Sequence, residues 1–295
     1  MSAGPAMLAH LIVERLSRRV LPRVPEPSEL VVMDNLAQNE AFELVGREDG
    51  ILASIYLYQA LQITSLVNPG NRVLDLGCGP ANLLAQVAQL IPQAHFIGID
   101  ASPGMLNCAR QTMKRCGVAN IEPVLGDMTT LAEFADASFD CVISTMSLHH
   151  LPNEAALSAA LCAARRVLKP EGGLYLIDFG RFKRATTQRF FAEDRSDMQP
   201  ENFTRDYFNS LRAAFSVDEL SRAMQAFGDG VTRYTTALAP FMVIFKSAAC
   251  REPDEPTRQV ARELYRRLNA SQQKDFRLYA RWLRAGGLEL PLAPC

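Results

Sequence analysis

Residues 73–81 read Val-Leu-Asp-Leu-Gly-Cys-Gly-Pro-Ala, an apolar strand that runs straight into a glycine-rich turn. The turn carries an acid, Asp75, two positions before Gly77. Backbone N–H groups in such a turn usually face an anion, most often phosphate. A carboxylate beside them repels an anion and favours a small polar ligand with positive charge. Pro80 fits the first position of the helix that follows, where its missing N–H costs nothing.

The rest of the chain repeats this alternation. Strands are expected at Arg72–Leu76, His95–Ile99, Ile121–Leu125, Asp140–Ser144 and Leu174–Asp178. Helices lie between them. One ends before Pro92, one opens at the cap Ser102-Pro103 and closes at Gly117, and one opens at Asn153 and ends over Lys169–Gly173. Strands joined by helices imply right-handed crossovers and a parallel sheet. Their near-continuous apolar runs fit a sheet covered on both faces. Later, Ser216-Val217-Asp218-Glu219 is a capping-box pattern for a helix ending at Gly228, and Thr232–Leu238 with Phe241–Phe245 read as a closing hairpin-like pair.

Helices are expected on either side of this core. Leu8–Leu21 ends at Pro22, Ser28 caps a second helix running toward Gly46, and a third spans Ile51–Val67. The tail after Cys250 reads as two helices interrupted near Ser271 and stopped at Gly286-Gly287. Residues 1–70 form a helical cap, 71–249 the core with an irregular insertion over about 180–215, and 250–295 a helical extension.

Charge narrows the function classes. Lys and Arg number 31 against 32 Asp and Glu, so net charge offers no pull toward nucleic acid or an anionic membrane. The arginine-rich stretch Arg251–Arg284 has acids interspersed and reads as a solvated helix pair. The seven cysteines form no Cys-x-x-Cys pair and sit largely in apolar segments, which points to reduced thiols and a cytoplasmic setting. His10, His95, His149 and His150 show no zinc-like spacing, so no metal is expected. No run reaches transmembrane length. The sequence leaves the oligomeric state open, a homodimer included.

S-adenosylmethionine (SAM) has the form the acidic turn asks for: an ammonium, a sulfonium and no phosphate. The landmarks VLDLGCGPANLL (73–84), FIGIDAS (96–102), GDM (126–128), SFDCVISTMSLHHL (138–151) and RVLKPEGGLYLIDF (166–179) stand in order. On them, about Asn71–Lys246 resembles the class I SAM-dependent methyltransferase family, in the small-molecule subgroup related to ubiquinone biosynthesis. The resemblance implies a Rossmann-like α/β fold with a seven-stranded, mostly parallel sheet, its last strand antiparallel. Where the family often has a third glycine, this chain has Ala81, read as an extra methyl at a helix–strand contact.

Candidate roles follow. Gly77, Cys78 and Gly79 let backbone approach the methionine half of SAM, and Asp75 takes its ammonium. Asp100, 21 residues past Gly79, accepts from the ribose hydroxyls. Ala101 and Met105 flank the adenine, Asp127 takes its amino group, Met128 packs on the ring, and Ser144 contributes backbone. His149 and His150 are candidates for removing an acceptor proton, with Asp178 a weaker one. The segment Phe179–Phe215 holds seven of the chain's 15 phenylalanines, so it is expected to roof an apolar acceptor pocket with the N-terminal helices. Phe182, Phe190 and Tyr207, with His149, are its expected lining.

The reading is a methyltransferase acting on a small organic acceptor. The alternatives are a non-catalytic subunit of the same fold, an enzyme acting on RNA or protein, and a nicotinamide oxidoreductase, which Asp75 opposes.

Overall fold

The computed structural model describes residues 5–18, 21–26 and 35–294. Seven strands form one sheet: β1 (Arg72–Leu76), β2 (His95–Asp100), β3 (Ile121–Leu125), β4 (Phe139–Thr145), β5 (Leu168–Phe179), β6 (Val231–Thr235) and β7 (Met242–Ser247). Their order is β3-β2-β1-β4-β5-β7-β6, and β7 runs antiparallel to both neighbours. The chain steps from β1 out to β3 and then crosses back to β4. The β1/β4 boundary is therefore the topological switch point, where a crevice opens at the strands' carboxyl ends.

Side-chain alternation builds a core on each face. Val73, Cys141, Ile143, Tyr175 and Ile177 point to one face, and Leu74, Val142, Leu174 and Leu176 to the other. Both sets are buried, which explains why the strands carry so few polar residues.

Among the described residues, the helices are α1 (Pro5–Leu16), α2 (Leu36–Gly46), α3 (Ala53–Ile63), α4 (Asn82–Leu90), α5 (Pro103–Cys116), α6 (Glu154–Val167), α7 (Ala185–Glu193), α8 (Glu201–Ala213), α9 (Val217–Ala223), α10 (Glu255–Arg267) and α11 (Ala270–Ala285). The caps expected at Ser102, Asn153 and Ser216 all form. Gly117 ends α5 in the left-handed conformation.

Several boundaries differ from expectation. Helix α1 stops at Leu16, well before Pro22. Ser28 lies outside the described residues, and α2 is capped by Asn35, whose side chain accepts from Ala37 and Gln38 N–H. Strand β5 reaches back to Leu168 through the stretch expected to end α6, because Leu168 pairs with Phe139 before a register shift. The insertion is not irregular: α7 and α8 form two helices that pack on each other. Helix α9 is short and gives way at Met224 to a 3₁₀ segment.

The turn after β1 differs most. Helix α4 begins at Asn82, so Pro80 sits in the turn and not at the first helical position. Ala81 adopts φ 57° and ψ 23°, in the left-handed region. Its methyl is buried, so its effect is conformational as well as steric. An L-residue there costs about 1–2 kcal/mol. Ala81→Val adds β-branching and is expected to lose at least about 2 kcal/mol relative to Ala81→Gly. Urea unfolding of the two variants measures the gap, and equal midpoints refute the strain.

Candidate functional site

The turn and the switch point meet in a cavity of about 240 Å³. One end is polar, walled by Asp75, Gly77, Cys78, Gly79, Asp100, Ala101, Met105 and Met128. The other end is walled by aromatic rings from separate elements: Phe42 of α2, Tyr56 of α3, Phe179 at the end of β5, Phe191 of α7, Phe203 and Tyr207 of α8, and Phe241 before β7.

At the polar end, Asp100 braces the glycine turn. Its Oδ2 accepts the Gly79 N–H at 2.8 Å and its Oδ1 accepts the Ser102 N–H at 2.9 Å. Each oxygen keeps a lone pair for a further donor. Burial holds its carboxyl above the usual range against these bonds. Asp75 is more extreme. It is 2% exposed, and its Oδ1 is buried with no hydrogen-bond donor. Burial, and then the nearby charge of Asp100, push its pKa up to about 8.

Ser144 stands behind the wall, with Oγ 3.2 Å from Leu76 O and 2.7 Å from Ser147 Oγ. Asp127 is exposed, and its Oδ1 accepts from Thr129 N–H and Oγ1, each at 2.8 Å. Neither residue lines the cavity. Phe182 is buried against Phe191 and Phe241, and Phe190 stacks on His10 at 4.3 Å, so these two rings also lie outside the lining. Tyr207 and His149 are part of it.

His149 and His150 sit on a 3₁₀ turn directly after β4. Asp178, at the end of β5, holds His149 twice: Oδ2 accepts its backbone N–H at 3.0 Å, and Oδ1 lies 2.7 Å from its Nδ1. The ring is thereby fixed with Nε2 left for other partners. His150 Nδ1 lies 2.5 Å from Glu26 Oε2. Burial opposes charge on both groups, but their mutual hydrogen bond and attraction win. His150 is held above its ordinary pKa and Glu26 below.

Glu26 belongs to a segment, 21–26, that Arg23 ties across the site. The Arg23 guanidinium donates to the carbonyls of His149, Leu151, Pro152 and Ala213 and lies 4.0 Å over the Phe215 ring. Sequence reasoning missed Glu26, Arg23, Tyr56 and Phe42. An acid between two prolines and rings on helices distant in sequence carry no local signature.

Residues 73–172 match the family model described as "Methyltransferase domain". Over that stretch the chain is similar to methyltransferase domains. Over 113 residues it is 36% identical to a demethylmenaquinone methyltransferase of Listeria welshimeri, covering 38% of this chain and 46% of that one. Over 117 residues it is 36% identical to the ubiquinone/menaquinone biosynthesis C-methyltransferase UbiE of Pseudomonas putida, covering 39% and 44%. A 37.1 kDa protein of a Streptomyces fradiae transposon, described as uncharacterized, is 34% identical over 164 residues, covering 55% and 42%. The chain thus spans less than half the length of these curated relatives. In fold it is similar to a SAM-dependent methyltransferase of Aquifex aeolicus, with a TM-score of 0.53, 17% identity, and coverage of 72% and 97%.

SAM is the cofactor that the resemblance to methyltransferase domains implies, and the residues present fit it. A buried carboxylate oxygen without a donor calls for a cationic partner, and SAM brings an ammonium. The space beside Gly79 is open: a Cβ built there meets no atom within 4 Å. Among the described residues, the walls at this end include two acids and no basic side chain, a poor match for pyrophosphate.

Proposed function

We propose that the chain transfers a methyl group from SAM to a small organic acceptor held under the aromatic roof. The orphaned oxygen of Asp75, on the same cavity as those rings, carries this reading. Asp75 takes the SAM ammonium, while Gly77, Cys78 and Gly79 follow the methionine half. Asp100 takes the ribose hydroxyls on its remaining lone pairs. Ala101 and Met105 flank the adenine and Met128 packs on it. Asp127 reaches the adenine amino group from the rim with its second oxygen. Ser144 acts through Ser147, which lines the wall.

When bound, SAM supplies an electrophilic methyl on a sulfonium. Charge disperses as the methyl moves, so alignment and a dry site matter most. Phe179, Phe203, Tyr207 and Phe241 supply both for an acceptor with an apolar or aromatic body. Phe182 and Phe190 support that roof from outside. His149, oriented by Asp178, stands in the lining beside these rings and faces the acceptor.

Residues 1–70 and the insertion at 180–215 serve as the cap of a 71–249 core, and 250–295 braces it. Among the described residues no helix is long and apolar enough to cross a membrane. The free thiols of Cys78, Cys108 and Cys141 fit a cytoplasmic place. A small-molecule acceptor is favoured over nucleic acid by the balanced charge.

Incubation with methyl-labelled SAM and fractionated extract of the source cells identifies the acceptor as the labelled compound. Asp100→Ala is expected to weaken SAM binding at least about tenfold by calorimetry, since hydrogen bonds to a charged group contribute about 1.5–3 kcal/mol each. Tyr207→Ala is expected to cut acceptor turnover while SAM affinity holds. Equal losses of both, tracking a lower melting temperature, would make Tyr207 scaffold. No labelled product from any fraction, despite normal SAM binding, favours an inert subunit of this fold.

A further inference from the structure

Glu26, His149 and His150 each offer a ligand atom, and these atoms lie within 4.8 Å of one another. Adjacent histidines and a glutamate over 120 residues earlier show no metal spacing in sequence. Folding assembles them at the acceptor end of the cavity, which both histidines line. We propose that this trio is a binding site for a divalent transition-metal ion of the zinc or cobalt class.

The chemistry of the donors selects the ion. Two imidazoles and one carboxylate suit borderline ions such as Zn²⁺. Mg²⁺ and Ca²⁺ prefer all-oxygen surroundings. Two of the three groups already have the outer partners that metal ligands need. Asp178 Oδ1 takes the Nδ1 side of His149 at 2.7 Å, which leaves Nε2 as the ligand atom. Ser210 Oγ donates to Glu26 Oε1 at 3.0 Å, leaving Oε2. The glutamate's place does not depend on the ion, because Arg23 anchors its segment to four carbonyls. The side chains of Glu26 and His149 are 4% and 3% exposed, so an ion there is shielded from bulk water.

Ligand bonds of about 2.0–2.2 Å place two donors on one ion about 3–4 Å apart. The trio closes on an ion with side-chain adjustments on the order of an ångström. The ion replaces the proton shared between His150 and Glu26, which is released. Three protein ligands leave a coordination position open, as catalytic sites do. That position faces the cavity and suits a hydroxyl or carbonyl oxygen of the acceptor. This last role rests on the methyltransferase reading; the binding itself does not.

The whole 295-residue chain, stripped by chelator dialysis, is titrated with Co²⁺ and then with Zn²⁺, without SAM or acceptor. One equivalent of Co²⁺ is expected to give the visible absorption of a nitrogen- and oxygen-ligated ion, bleached by Zn²⁺. Glu26→Gln and His150→Gln are each expected to weaken binding at least about tenfold, and Glu171→Gln, at an exposed position of β5, to leave it unchanged. Circular dichroism melting checks each variant's fold, and either of the two ligand variants suffices. No spectrum with excess Co²⁺, undiminished binding in both ligand variants, or intense sulfur-to-cobalt charge transfer overturns the site. A parallel SAM titration separates the two readings: its failure refutes the donor assignment and leaves the cobalt result standing.

Discussion

Asp75→Asn is expected to weaken SAM binding about ten- to a hundredfold and, at the same time, to stabilise the SAM-free protein at alkaline pH. Both effects come from one buried charge. The Asp75 carboxyl has no donor on Oδ1, and burial followed by the charge of Asp100 pushes its pKa up to about 8. In the unfolded chain an aspartate titrates near about 3.9. The folded state thus keeps a proton that the unfolded state loses. Stability from this group is full below about pH 4 and declines until about pH 8. Asparagine has no charge to desolvate, so its advantage grows through that window. It also lacks the carboxylate that pairs with an ammonium, a contact of about 1.5–3 kcal/mol. Melting curves at pH 4.5 and 8.5, with SAM calorimetry, test both halves. Unchanged affinity in a folded variant removes Asp75 from the site. A lower melting temperature at both pH values makes it a structural acid.

Gly79→Val is expected to abolish SAM binding, a loss of more than about a hundredfold, with the sheet still folded. Gly79 has φ +51°, and the volume a side chain would fill is open cavity. A β-branched residue there blocks backbone approach and distorts the turn that Asp100 braces. Gly77 makes the contrast. A Cβ at Gly77 lies 2.5 Å from Ser147 Cβ, so Gly77→Ala attacks the junction between β1 and β4. Its loss should appear first in the melting temperature. The gentler Gly79→Ala costs about 1–2 kcal/mol of backbone strain and still narrows the site. SAM binding at wild-type strength in either folded Gly79 variant refutes the approach argument.

The sheet was legible because each strand's hydrophobicity is local and its ends are punctuated. Ser102-Pro103, Asn153 and Gly117 act within one helical turn, and all three work as sequence chemistry dictates. The polar end of the cavity was legible for the same reason: Asp75 to Gly79 is one contiguous turn, and Asp100 ends the neighbouring strand. The acceptor end was not. Phe42, Phe203 and Phe241 converge from segments whose burial is decided by tertiary packing. Phenylalanine content flagged the insertion but could not tell Phe182, buried against Phe241, from Tyr207, which faces the cavity. Ala81 was misjudged because its cost lies in a backbone angle that composition does not carry.

The chain contains a single tryptophan, Trp282. It lies on α11, with its indole N–H donating to Ala237 O at 2.6 Å and its ring stacked on Phe241 at 5.6 Å. Phe241 is itself part of the cavity wall. One ring therefore separates the only indole from whatever occupies the acceptor end. The emission of Trp282 is a built-in optical probe of that wall, free of background from any other tryptophan. Acceptor screening can use the unlabelled protein, read by fluorescence before any turnover assay exists.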